Sequence, residues 1–260
     1  MALLTKTPVN NATEGEDDTF ENAHGTVMIL AWMVFASTAV LFARYGRRLR
    51  FGSNDELFGE KIWFQVHRLI ACLTTVLTLL GFFFILVFAA GGWVESDEQP
   101  AFQHSVLGGI IVCCALLQAW MALFRCHPDG SFRVIFNWLH RLTGLLAFFL
   151  SVPTIFLIIS QPGDTRAGMI VILSLWSVWV VLIVIVLEII RFRIQRSAPE
   201  EVDGKDRTEL YDINGPPMMN SDIKDNSDAS AWNKRILALF LLHFIVSIAL
   251  AIPLISLVWQ

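Results

Sequence analysis

The sequence predicts an all-α membrane protein with six transmembrane helices, and three observations carry that reading. Of its 260 residues, 55% are hydrophobic and only 16% are charged, with a mean hydropathy of +0.59. A soluble domain of this size needs far more charge to cover its surface. The apolar residues fall into blocks of about 20, the length at which a helix spans roughly 30 Å of hydrocarbon. No run of short alternating segments, the mark of a membrane barrel, is present.

The first span is expected over Ala23–Ala43 and ends in the basic stretch Arg44-Tyr45-Gly46-Arg47-Arg48-Leu49-Arg50. The second covers Ile62–Ala90 and stops at Gly91-Gly92, before an acidic loop with Glu95, Asp97 and Glu98. The third runs over Phe102–Phe124 to the turn His127-Pro128-Asp129-Gly130, and the fourth over Phe132–Ser160 to Gln161-Pro162-Gly163. The fifth is Ala167–Ile190 and the sixth Ile236–Trp259. The chain thus divides into a short amino-terminal tail (1–21), a core of five spans (22–190), a polar linker (191–235) and a last span (236–260). The linker is rich in Asp, Asn, Ser, Pro and Gly, the composition of a tether rather than a packed domain.

Placement of basic residues sets the expected orientation. The first loop holds Arg44, Arg47, Arg48, Arg50 and Lys61, the third Arg125 and Arg133, and the linker opens with Arg191, Arg193 and Arg196. The second loop has no basic residue and the fourth only Arg166, while the amino terminus sets Lys6 against five acids between Glu14 and Glu21. Both termini are therefore expected on the non-cytosolic side of a plasma, endosomal or secretory vesicle membrane. The first twenty residues lack the basic start and apolar core of a signal peptide, and Asn11-Ala12-Thr13 is a glycosylation sequon. Cys72, Cys113, Cys114 and Cys126 lie in spans or at an inner edge, so plain thiols are expected, with palmitoylation an option for Cys126. No nucleic-acid partner is expected.

Histidine inside a span is costly and normally has a partner. His24 and His104 begin spans that descend from the outer face, whereas His67 and His140 lie near the start of spans that ascend from the inner face. The four sort into two pairs at two depths on alternate helices. Neutral imidazole is a good axial ligand for haem iron, so a central four-helix bundle holding two haems is predicted. One turn on from three of the histidines stand small residues, Gly108, Gly144 and Ala71, which clear space for a flat ring; Met28, after His24, breaks the pattern. A faint repeat sets Trp63-Phe64-Gln65-Val66-His67-Arg68-Leu69 against Phe136-Asn137-Trp138-Leu139-His140-Arg141-Leu142. It relates spans one and two to three and four about an axis along the membrane normal. A single structural histidine would need no such explanation, but four at matched depths do. Zinc would want three or four ligands at one level. A proton-coupled transporter would want intramembrane acids, of which Glu188 is the main one. His127 is expected to be solvated in its turn, and His243, in the sixth span, is given no ligand role.

These stretches resemble the cytochrome b561 superfamily, in particular the transmembrane part of ferric-chelate reductases and DOMON-linked cytochromes. The likeness rests on His24-Gly25 followed by Met28, Ala31-Trp32 and Ala43-Arg44; on Trp63-Phe64 with Val66-His67-Arg68; on His104-Ser105-Val106-Leu107-Gly108; and on Phe136-Asn137-Trp138-Leu139-His140-Arg141. It covers about residues 22 to 160. The resemblance implies two b-type haems, one on His24 with His104 and one on His67 with His140, and electron transfer across the membrane. It further implies ascorbate as cytosolic donor, held by basic residues among which Lys61, Arg68, Arg133 and Arg141 are candidates. The implied acceptor is ferric iron or monodehydroascorbate. Longer relatives carry reelin-like or DOMON domains ahead of the bundle, where about twenty residues stand here. Two other readings stay open: an electron conduit to a separate partner protein, and a haem-free scaffold or transporter. A homodimer is compatible with the sequence.

Overall fold

A computed structural model describes residues 11–49, 56–57, 59–90, 92–124, 132–197 and 221–260. Arg50, Arg125, Cys126, the His127 turn and most of the linker lie outside the described residues. Six helices among those described are long and apolar enough to cross a membrane. The first span is one continuous helical run, α1 (Asn11–Ile29), a π-helical segment (Leu30–Ala36) and α2 (Ser37–Tyr45). The others are α3 (Ile62–Phe88), α4 (Ala101–Leu123), α5 (Arg133–Ile159), α6 (Arg166–Ser197) and α7 (Ser221–Val258). The only strands among the described residues form a small antiparallel hairpin, β1 (Glu56–Leu57) with β2 (Glu60–Lys61). It turns at Gly59, whose φ of +75° suits a residue without Cβ. Gln65 donates to the Leu57 carbonyl at 2.9 Å and ties this hairpin to the start of α3.

Several helices outrun the boundaries that hydropathy suggests. α1 begins at Asn11 rather than near Ala23, taking in the acidic stretch. Carboxylates are tolerated in a helix's opening turns, where they complement the positive end of its dipole. At the linker, α6 continues to Ser197 and α7 starts at Ser221, so both ends of that polar stretch are helical. Hydropathy marks only the part of a helix inside hydrocarbon, and hydrogen bonding carries the coil beyond it.

The first span is the centre of the molecule. Two thirds of its apolar stretch (67%) is buried against other helices, compared with 17–33% for the remaining five. Trp32, Met33 and Val34 of the π segment are enclosed on all sides, as expected of a helix that is apolar all round. Inside one turn of that segment, Ser37 Oγ donates to the Met33 carbonyl at 2.6 Å and Thr38 Oγ1 to the Val34 carbonyl at 2.6 Å. The first span runs along α3, and α4 runs along α5; α6 and α7 close the other side of the first span. The outward faces carry bare apolar side chains such as Leu69, Phe83, Leu123, Phe149 and Val178, the belt that acyl chains cover. Cys72, Cys113 and Cys114 are free thiols, as expected.

Candidate cofactor site

The four predicted histidines meet as two pairs. His24 and His104 face each other with ring centres 6.2 Å apart, and His67 and His140 with ring centres 6.4 Å apart. The ring planes are close to perpendicular in both pairs, at 76° and 83°. A six-coordinate metal with imidazole nitrogens at about 2.0 Å on opposite sides sets ring centres about 6.3 Å apart, because each centre lies roughly 1.1–1.2 Å behind its nitrogen.

The backbone fixes which nitrogen faces inward. His24 Nδ1 lies 2.8 Å from the Gly81 carbonyl, His67 Nδ1 3.0 Å from that of Ala39, and His104 Nδ1 2.8 Å from that of Thr154. A carbonyl can only accept, so each Nδ1 carries the proton and the Nε2 lone pair is left for a metal. The same bonds set the depths. Gly81 is fourteen residues beyond His67 on α3, and Thr154 is fourteen beyond His140 on α5. Fourteen residues rise about 21 Å along a helix, so the two pairs sit near opposite edges of a hydrocarbon layer of about 30 Å. Equal spacing in both halves supports the internal repeat: α3 serves the first span as α5 serves α4.

Room exists between the halves. The helices that carry one pair, the first span and α4, do not pack closely on each other, nor do α3 and α5, which carry the other. A Cβ built on Gly108 meets nothing within 4 Å. Gly144 behaves differently, because Gln118 lies over it, with Nε2 3.4 Å from where a Cβ would stand. Met28, the residue that broke the small-residue pattern, is folded onto Gly81 on the neighbouring helix, so that glycine supplies the missing clearance. Among the described residues no three His, Cys, Asp or Glu side chains converge. A metal held by only two imidazoles needs its remaining ligands from a cofactor, and a porphyrin supplies four.

Of the basic candidates, Lys61 lies exposed on β2 just before α3. Arg68 and Arg141 each follow a histidine and are exposed, swung by the helical step of about 100° onto the flank of the bundle. Arg141 lies over Trp138 at 5.6 Å and Arg133 over Phe136 at 5.6 Å. All four stand at the end of the bundle that holds His67 and His140. Two neighbours of that pair escaped the sequence reading. Phe136, one turn before His140, stacks parallel to its ring at 6.1 Å and 3°. Gln118 donates to the His140 carbonyl at 2.8 Å and to Thr143 Oγ1, joining α4 to α5 at this level. The i, i+4 spacing of Phe136 and the presence of an amide in an apolar span were the available signals.

His243 is fully buried between α7 and the first span. Its Nε2 lies 2.9 Å from Ser37 Oγ and 3.5 Å from Ser247 Oγ. Its Nε2 thus meets two hydroxyls, while its buried Nδ1 makes no hydrogen bond among the described residues.

Comparison with known proteins agrees with this geometry. The family described as eukaryotic cytochrome b561 matches residues 23–162. The human ferric-chelate reductase 1 is 31% identical over 84% of this chain and 34% of its own length. Its mouse counterpart is 36% identical over 54% of this chain and 23% of its own. A cytochrome b561 and DOMON domain-containing protein of Arabidopsis thaliana is 26% identical over 65% of this chain and 34% of its own. The chain thus spans about a third or less of these relatives. No solved structure matches it. With a family match over more than half of its length, and that match enclosing all four paired histidines, the chain belongs to the eukaryotic cytochrome b561 family of haem-binding membrane proteins.

Proposed function

We propose that the protein carries electrons across a membrane through two b-type haems, one on His24 and His104 and the other on His67 and His140. Two histidine pairs at two depths, with ring centres 6.2 and 6.4 Å apart and three of the four Nδ1 atoms held by backbone carbonyls, are the observation that carries this reading. Haem supplies reversible one-electron chemistry at iron. The chain's own residues do the rest. The Gly81, Ala39 and Thr154 carbonyls hold three of the four rings in one tautomer, and two imidazoles per iron would leave no open position for oxygen. The apolar walls keep water from the path between the two levels.

The basic end, with Lys61, Arg68, Arg133 and Arg141, is read as cytosolic, which leaves both termini on the other side. An anionic donor of the ascorbate class would meet the inner pair there. The outer pair would pass electrons to ferric iron, the substrate for which the human and bovine ferric-chelate reductases are named. The acidic loop with Glu95, Asp97 and Glu98 favours a cation near that exit. Monodehydroascorbate or a separate electron-accepting protein is the alternative terminus.

The purified protein should show a reduced b-type spectrum with two haems per chain, and His67→Ala or His140→Ala should halve the haem while sparing the other centre. A folded protein without colour would end the proposal. Proteoliposomes loaded with ascorbate should reduce external ferric chelate without an added partner; failure of that step alone would favour the partner-protein terminus.

A further inference from the structure

α6 and α7 end together at the same end of the bundle as His67 and His140. There α6 presents Ile189, Phe192, Arg193 and Arg196 to one side, the spacing of a single helical face. α7 opposes it with Trp232 and Arg235, and the groove between them has a volume of about 840 Å³. Arginine at the end of a membrane helix is ordinary. Here, however, guanidinium groups from two helices line one groove, and an aromatic face backs two of them. Arg196 lies 5.0 Å over the Phe192 ring and Arg235 4.8 Å over the Trp232 ring, which holds their donor edges in fixed planes.

Among the described residues the lining of the groove holds three arginines and one carboxylate. Its one carboxylate, Glu188, takes hydrogen bonds from Arg44 Nε at 2.6 Å and Tyr45 Oη at 2.8 Å. Arg196 and Arg235 therefore line a cavity whose one carboxylate among the described residues is already engaged. Below them, Ile189 and Phe192 are half exposed and continue into the lipid-facing surface of α6. Charge at the helix ends with apolar wall beneath is the order of groups along a phospholipid. A soluble anion would have no use for that wall.

We propose that this groove binds the headgroup of a polyanionic phospholipid. Its phosphates would lie on Arg196 and Arg235, and its glycerol–acyl junction on Ile189 and Phe192. Arginine matches phosphate with paired N–H donors, and basic grooves between membrane helices are a recurrent way to hold such lipids. The orientation proposed above assigns this leaflet to the cytosol, but the site itself stands on the groove and not on the haems.

Native mass spectrometry of the full chain tests it, with a phosphatidylinositol bisphosphate against phosphatidylcholine as probes. One bisphosphate lipid per chain should survive, retained at least about tenfold better than phosphatidylcholine. The combined variant Arg196→Gln/Arg235→Gln should lose about tenfold in retention, whereas Arg166→Gln, at the opposite end of α6, should lose nothing. Haem content reports folding separately; if the combined variant loses haem, the two single variants carry the comparison. Equal retention of the two lipids, or unchanged retention in the arginine variants, overturns the site. Competition by soluble inositol trisphosphate as strong as by the lipid itself overturns the lipid assignment in favour of a soluble anion.

Discussion

His24 donates its Nδ1–H to the carbonyl of Gly81 at 2.8 Å, and the first span approaches α3 that closely because Gly81 has no side chain. A Cβ on Gly81 would stand 3.0 Å from Met28 Cε, 3.3 Å from Cγ and 3.4 Å from Sδ. A single methyl meets mainly the flexible end of the thioether, which can swing aside. A branched side chain meets the whole of it and pushes α3 away, carrying off the carbonyl that orients His24. Gly81→Ala should therefore keep both haems, and Gly81→Val should lose the outer one, seen as haem content falling by about half. Retention of full haem in Gly81→Val would show that the His24–Gly81 bond does not position the ligand.

That contact marks where the sequence stopped being legible. The six spans, the pairing of four histidines and their two depths follow from hydropathy blocks and alternating direction, which are properties of the chain itself. Met28 looked like a defect because the i+4 rule sees only one helix; the clearance comes from Gly81 on another. The π segment carries no residue pattern that separates it from ordinary helix. Gln118 stood out as an amide in a span, but its partner, the His140 carbonyl, is set by how α4 meets α5. Helix ends beyond the hydrocarbon were hidden for the same reason, since hydropathy reports solvent and not hydrogen bonding.

Gly108 offers a cleaner separation of cofactor from packing. Nothing lies within 4 Å of a Cβ placed there, so a larger side chain meets no protein atom at its first step. If the space beside His104 were idle, Gly108→Leu would be neutral or would cover a little more apolar surface. If a porphyrin fills it, the leucine competes for the same volume. We expect Gly108→Leu to lose the outer haem while the protein keeps its helical circular dichroism and its inner haem. Unchanged haem content would place the outer ring elsewhere.

His243 and Ser37 form the polar contact at the middle of the bundle. Ser37 Oγ gives its proton to the Met33 carbonyl at 2.6 Å, so it accepts from His243 Nε2–H at 2.9 Å. Removing the ring leaves a cavity in a fully enclosed place, and large-to-small changes of that kind cost about 2–4 kcal/mol. The lost hydrogen bond adds roughly 0.6 kcal/mol more, the average for such bonds between membrane helices. His243→Ala should thus melt at a clearly lower temperature while retaining both haems and an unaltered reduced spectrum. Loss of a haem, with the melting temperature of the remainder unchanged, would make His243 part of a cofactor site.

The angle between paired imidazoles is a further handle on the same geometry. In a low-spin ferric haem each axial imidazole interacts with one of two iron dπ orbitals, chosen by the direction of its ring plane. Parallel rings act on the same orbital and split the two apart. Perpendicular rings act on one each and leave them nearly equal in energy. Haems held by these pairs, with planes at 76° for His24 and His104 and 83° for His67 and His140, would both fall in the second case. Electron paramagnetic resonance of the oxidised protein should therefore show two strongly anisotropic low-spin signals with their largest g values well above those of parallel bis-imidazole haems. His104→Ala should remove one and His140→Ala the other. Ordinary rhombic signals in the parent protein would mean that the rings turn toward a common plane when haem is bound, and that the Nδ1 bonds to Gly81, Ala39 and Thr154 are too weak to hold them.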